Sequence, residues 1–255
     1  MKPRHFALAA LLVATLGPSP ARAVGDEIQV YTDAIDEAGV FGVELHLNYV
    51  GSGRRTSEFA GEIPPHHVFQ ATPEFSYGLG HGFEAGLYVP FMVAPGGHVF
   101  ENGLRARMKY IAPHGTGRTV FWGLNGEFGY TAPRVSETAW GLELRPIIGW
   151  TDGRWLLVAN PVLGFELSGD ASRRPSFDPC VKAAYTVAPG VQAGIEHYAG
   201  FGPVGRWASS DEREQQTYVA LDIERGKFGL NVGVGHGWTT PSEAWVVKAI
   251  ISLPF

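Results

Sequence analysis

Six apolar side chains recur at every second position at the end of the chain: Trp245, Val247, Ala249, Ile251, Leu253 and Phe255. Period-two apolarity places them on one face of a strand. A tilted strand crosses a bilayer in about 9–11 residues, with aromatics at both interfaces. The same alternation returns throughout the chain. It predicts strands at about 40–50, 67–78, 82–93, 101–112, 118–131, 137–150, 154–168, 177–188, 190–200, 213–225, 227–238 and 243–255. Short connections rich in turn residues, such as Gly78-Leu79-Gly80-His81-Gly82, Thr151-Asp152-Gly153-Arg154, Ala188-Pro189-Gly190 and Glu224-Arg225-Gly226-Lys227, alternate with longer ones, notably 51–66 and 201–212. Six longer loops and five short turns are what twelve up-and-down strands require, with both termini on the side of the turns. Ten or fourteen strands follow if one has been merged or split.

Parity separates two faces. Phe41, Val43, Leu45, Leu47 and Tyr49 alternate with Gly42, Glu44, His46 and Asn48. Leu104, Ala106, Met108 and Tyr110 alternate with Arg105, Arg107 and Lys109. Trp140, Leu142, Leu144, Pro146, Ile148 and Trp150 alternate with Glu143 and Arg145. In a soluble sandwich or lipocalin-like barrel the charged phase would be buried at several kcal/mol per charge. Facing a wet lumen it costs little. The fold class is therefore all-β, a transmembrane up-and-down antiparallel β-barrel of about twelve strands.

The 34 Gly and 18 Pro are scattered through all 255 residues, which leaves no helical stretch and no linker and fits one domain. Lys2 and Arg4, the apolar run Phe6 to Leu16, and Ala21-Arg22-Ala23 form a secretory signal peptide over 1–23. Residues 24–39 follow as a periplasmic segment, and 40–255 form the barrel. Asp26, Glu27, Asp33, Asp36 and Glu37 make the segment too acidic for a lipid face; it threads into the inner mouth or pairs Glu27–Tyr31 briefly with a strand edge. Without the leader, 17 Lys and Arg stand against 25 Asp and Glu, which argues against nucleic acid as a partner. The single Cys180 has no disulfide partner and reads as a small apolar residue.

Candidate chemistry lies on the polar phase. Adjacent strands pair in an up-and-down barrel, so Glu84 and Glu127 flank the row Arg105, Arg107 and Lys109, with Glu143 and Arg145 on the next strand. These seven are the lumen and constriction candidates. Opposite charges across strands either brace a side-chain-filled interior or line a selective pore. Twelve strands lie between barrels filled by side chains and open porins. No His-x-Ser occurs, and no nucleophile–base pair suggests an enzyme or a cofactor. His66-His67 with Glu62 could hold a metal, but adjacent histidines on a strand or loop point apart, so a plain surface loop is expected. The leading reading is a passive channel for small solutes. A closed structural or adhesive barrel acting through loops 51–66 and 201–212 is the alternative, and an outer-membrane enzyme ranks third.

Two resemblances bear on this. The wording Asp26-Glu27-Ile28-Gln29-Val30-Tyr31, Glu44-Leu45-His46-Leu47-Asn48-Tyr49, Gly53-Arg54-Arg55, Pro73-Glu74-Phe75-Ser76-Tyr77-Gly78 and Phe83-Glu84-Ala85-Gly86-Leu87-Tyr88-Val89-Pro90 resembles transporter-like proteobacterial outer-membrane proteins near the MetA-pathway of phenol degradation family. It implies a barrel in outer-membrane lipid passing small, aromatic or hydrophobic solutes, and it carries no site residue. A last strand ending on Phe255 is similar to that of bacterial outer-membrane barrels, where the terminal aromatic belongs to the assembly signal. That similarity implies the barrel-assembly machinery as a partner.

Overall fold

A computed structural model describes residues 26–169 and 174–254. The expected leader over 1–23 and Phe255 of the expected assembly signal lie outside the described residues. Those described contain strands and no helix. Twelve crossing strands result: β1 (Phe41–Ser52), β2 (Phe69–Gly80), β3 (Phe83–Tyr88 and Phe91–Val93) and β4 (Val99–Glu101 and Gly103–Ile111). β5 (Thr119–Thr131), β6 (Trp140–Thr151), β7 (Trp155–Asn160 and Leu163–Glu166) and β8 (Ser176–Phe177 and Cys180–Ala188) follow. β9 (Val191–Gly200), β10 (Glu214–Arg225), β11 (Phe228–Gly237) and β12 (Trp245–Pro254) complete the set.

Every neighbouring pair is antiparallel. β1 bonds to β2 on one side and to β12 on the other, with Gly42 opposite Pro254 and Val50 opposite Val246. The sheet therefore closes and has no free edge. The twelve expected strands are all present, and the five short turns alternate with six other connections as anticipated. One of the six, Ala94–His98, is itself a tight hairpin in which the Ala94 amide bonds the His98 carbonyl at 2.9 Å.

Local chemistry explains the breaks. β3 stops before Pro90, β7 before Pro161 and β8 at Pro179, residues that have no amide hydrogen for the ladder. β4 is broken at Asn102, whose amide donates to the Pro90 carbonyl at 2.7 Å. Gly103 follows with φ of 146°, and a Cβ there would lie 2.0 Å from the Tyr130 carbonyl oxygen, so only glycine fits.

The faces are those of a membrane barrel. Val219 in mid-β10 is 69% exposed, while Lys248 in mid-β12 is 1% exposed. Leu104, Met108, Trp140 and Ile148 all point outward, in the phase expected for lipid. Trp155 packs against Tyr185, with ring centroids 4.9 Å apart, at the turn end of β7, where an aromatic meets the membrane interface.

An arginine at Val219 discriminates between lipid and water outside. At the midplane of a bilayer it should cost about 2–4 kcal/mol, measured by urea unfolding of protein folded into vesicles. A neutral Val219→Arg would mean that this face is not in lipid.

Candidate functional site

The lumen is not empty. Residues 26–39 enter it beside the β2–β3 turn, where the Gly39 amide bonds the Gly78 carbonyl at 2.8 Å. They then run inside the barrel toward the long loops. The segment thus goes further than threading the inner mouth or pairing briefly with a strand edge: it occupies the barrel's interior. It carries no strand of its own, so its main-chain groups find side chains instead.

Four barrel side chains do most of this. Asn48 Nδ2 donates to the Asp26 carbonyl at 3.0 Å, and Lys248 Nζ to the Ile28 carbonyl at 2.9 Å. Arg145 donates to the Gln29 carbonyl at 3.0 Å. The Asn160 amide bonds both sides of Tyr31, accepting from its N–H at 2.7 Å and donating to its carbonyl at 3.0 Å. That side chain imitates the pairing a neighbouring strand would offer.

The sequence-derived candidates converge around this segment. Arg107 lies 2.6 Å from Glu84 and also pairs with Glu74 from β2. Arg105 binds Asp26 through both terminal nitrogens, at 3.0 and 2.7 Å, and lies 3.7 Å from Glu127. Lys109 lies opposite Glu84 in register, its ammonium 5.1 Å from the Tyr31 ring centre. Arg145 bonds Glu143 at 2.8 Å and stacks over Tyr31 at 4.4 Å. Tyr31 is thus surrounded by cations, and its hydroxyl reaches Tyr88 at 2.5 Å and Glu127 at 3.1 Å. All seven candidates line the lumen around residues 26–31, with Arg107–Glu84, Arg105–Glu127 and Arg145–Glu143 also paired directly.

A second charged cluster on the opposite wall was not singled out by sequence. Glu196 of β9 pairs with Lys248 and, at 3.3 Å, with Lys182, which also bonds Asp222 at 2.8 Å. Its members are individually visible as polar-phase charges; Lys182 and Glu196 face each other in the β8–β9 register, and Lys248 reaches Glu196 from β12. Toward the turns the lumen becomes apolar. Ile111, Phe121, Ile147, Val158 and Cys180 pack against Val30 and Tyr31, with Ile35 beside them. Cys180 is thus a buried apolar residue, as expected. At this mouth burial pushes the Asp36 carboxyl above its usual range, against the pull of the Ser76 hydroxyl bonded to it at 2.6 Å.

Two metal candidates can be weighed. Glu44, His46 and Glu74 place ligand atoms within 4.8 Å of one another. Arg107 already supplies a cation to Glu74, and Ser252 donates to Glu44 at 2.5 Å, so both carboxylates have partners within the protein. His66 and His67 do not point apart. Their rings stack at 3.9 Å because His67 takes a left-handed backbone, φ 61°. Glu62 does not join them, being held by Arg54 at 2.5 Å.

Beside the inserted segment, on the long-loop side, lies a cavity of about 320 Å³. Asp26, Glu27, Arg105, Glu127, Glu143 and Arg145 line it together with the 135–138 connection.

No known protein family matches the chain, and no curated protein matches it. Solved structures do. An outer-membrane channel from Pseudomonas putida F1 superposes with a TM-score of 0.64 at 14% identity, over 90% of this chain and all of the other. The KdgM porin matches with a TM-score of 0.53 at 10% identity, over 84% of this chain and 99% of its own. The NanC porin gives 0.53 and 10%, over 84% and 98%. The shared feature is the outer-membrane β-barrel fold.

Asn160→Leu tests how the segment is held. It removes both bonds to Tyr31 and should cost about 1–3 kcal/mol, read as a lower temperature for the heat-induced mobility shift on gels. An unchanged transition would mean that Asn160 does not anchor the segment.

Proposed function

We propose that this chain is an outer-membrane channel for passive passage of small solutes. Arg105, Arg107 and Lys109 with the facing Glu84 and Glu127 form the constriction, and residues 26–37 are the element that narrows it. The observation that carries this reading is the way the lumen is filled. A barrel built only as a scaffold could close with wall side chains, as small barrels do. Here the wall presents a belt of charged and amide groups, and a separate strandless segment lies within it. Such a segment can shift without unpairing a single strand of the barrel.

The fold shared with an outer-membrane channel and two porins supports the reading. The resemblance of the first third of the chain to outer-membrane proteins near the MetA-pathway family favours a solute with an aromatic or hydrophobic part. The closed barrel is favoured by one specific observation, the apolar packing of Val30, Tyr31 and Ile35 against the wall near the turns. In that reading loops 51–66 and 201–212 meet an outside partner.

Planar-bilayer conductance divides the two. Full-length protein should give small discrete steps, and deletion of residues 26–37 should raise the conductance severalfold. Arg105→Ala and Arg107→Ala should each shift ion selectivity toward cations, because each leaves Glu127 or Glu74 uncompensated. Silence in the full chain and in the deletion would make the closed barrel the correct account.

A further inference from the structure

Pro146 and Pro161 face each other across the seam between β6 and β7. The two ends of this seam fix which pairs carry ladder bonds. The Leu167 amide donates to the Trp140 carbonyl at 2.8 Å, and the Asp152 amide to the Trp155 carbonyl at 3.2 Å. Every second pair between them keeps that phase, including Leu144 with Leu163 and Ile148 with Ala159. Midway between those two pairs stand Pro146 and Pro161. Neither has the amide hydrogen that the position requires, so both ladder bonds are missing. From Leu144 to Ile148 the seam is therefore unbonded, a length of about 13 Å at a strand's rise. Pro179 lies beside Pro161 on β8. Its carbonyl accepts from the Ala199 amide at 3.0 Å, and it has no amide hydrogen to return.

There is space on both sides of this stretch. On the lipid side, Ile148 and Ala159 next to the prolines open an apolar groove of about 600 Å³ that runs over Leu157, Val181 and Ile195. On the inner side, Arg145, Val162 and Cys180 belong to the lining of the 320 Å³ cavity. Tyr31 covers the seam from within. Asn160, next to Pro161, holds its main chain at 2.7 and 3.0 Å, and Arg145, next to Pro146, lies over its ring at 4.4 Å.

Parting two paired strands in lipid strips backbone groups of their partners, which is costly. At Pro146 and Pro161 there is no ladder bond to break. Resting on the channel reading, we propose that this proline pair marks a side exit, through which uncharged apolar or aromatic solutes pass from the lumen into the lipid when Tyr31 moves aside. Ions and small polar solutes keep to the axial path past Arg105, Arg107 and Lys109. The exit selects by transfer free energy: a charged solute loses its hydration on entering hydrocarbon, whereas an apolar one gains by leaving water.

The test restores the missing donors. Pro146→Ala with Pro161→Ala gives the seam two amides in register to bond, while both small side chains stay on the outer face. The probe is N-phenylnaphthylamine, a neutral aromatic dye that an intact outer membrane excludes and that fluoresces on entering membrane lipid. Gram-negative cells displaying the wild-type protein should take up the dye several times faster than cells without it. The double alanine variant, matched for the amount of heat-modifiable protein, should bring the rate back to about that of cells without the protein, with bilayer conductance unchanged. A reversible closure gives the second variant. Pro146→Cys with Pro161→Cys, on a Cys180→Ala background, places two thiols on directly opposed residues. Dye entry should stop on oxidation and return on reduction. Asn160→Leu, which releases Tyr31, should speed entry. Four results would overturn the exit: no faster entry with the wild type, the wild-type rate in both closed variants, no effect of Asn160→Leu, or conductance lost together with dye entry. Silent bilayers with proline-dependent dye entry would refute the axial channel and leave the exit. Conduction with proline-independent dye entry would refute the exit and leave the channel.

Discussion

An extended chain inside a closed barrel has no strand to pair with, yet its amide and carbonyl groups still need partners. Much of this structure follows from that constraint. Asn48, Arg145, Asn160 and Lys248 come from four different strands and all reach main-chain atoms of residues 26–31. Each is a polar residue on the inward phase. Their polarity accounts for a belt of the lumen that would otherwise be wet and empty. The turn side of the same segment is apolar, and there the wall answers with Phe121, Ile147 and Val158.

The buried charges follow the same logic. Taking a guanidinium or ammonium out of water is costly unless its partners are close and well aimed. Arg107 therefore sits between Glu74 and Glu84, and Glu196 between Lys182 and Lys248. The inserted segment contributes Asp26 to Arg105, so part of the wall's charge is balanced only when that segment is in place. Removing it would leave Arg105 facing open lumen with Glu127, 3.7 Å away, as its remaining acid on the wall. Occupancy of the lumen and the electrostatics of any passage are thus one property.

Strands, faces and closure were legible in the chain because each is a local pattern. Alternation such as Leu104-Arg105-Ala106-Arg107 names both faces within one strand, and nearest-neighbour pairing then brings Glu84 and Glu127 to the basic row. The inserted segment was less legible. Its bonds join residues far apart, such as Ile28 with Lys248 at a separation of 220, and it has no periodicity of its own. One trace was present: Ile28 and Val30 alternate inside an otherwise acidic stretch, as residues with something apolar to meet. Phe121, Ile147 and Val158 on the polar phase were the matching trace on the wall. The stacked histidines of the first loop depended on a left-handed backbone at His67, which no side-chain pattern announces.

Cys180 provides the most direct measurement of the central claim, that residues 26–37 occupy the lumen. It is the only cysteine, faces the interior, and is buried in the cluster that contains Val30 and Tyr31. Its reaction with a small charged thiol reagent can be followed by mass on the folded protein in detergent. The account predicts slow labelling of the full chain and rapid labelling once residues 26–37 are deleted, with the barrel still heat-modifiable. Equally rapid labelling of the full chain and the deletion would contradict it.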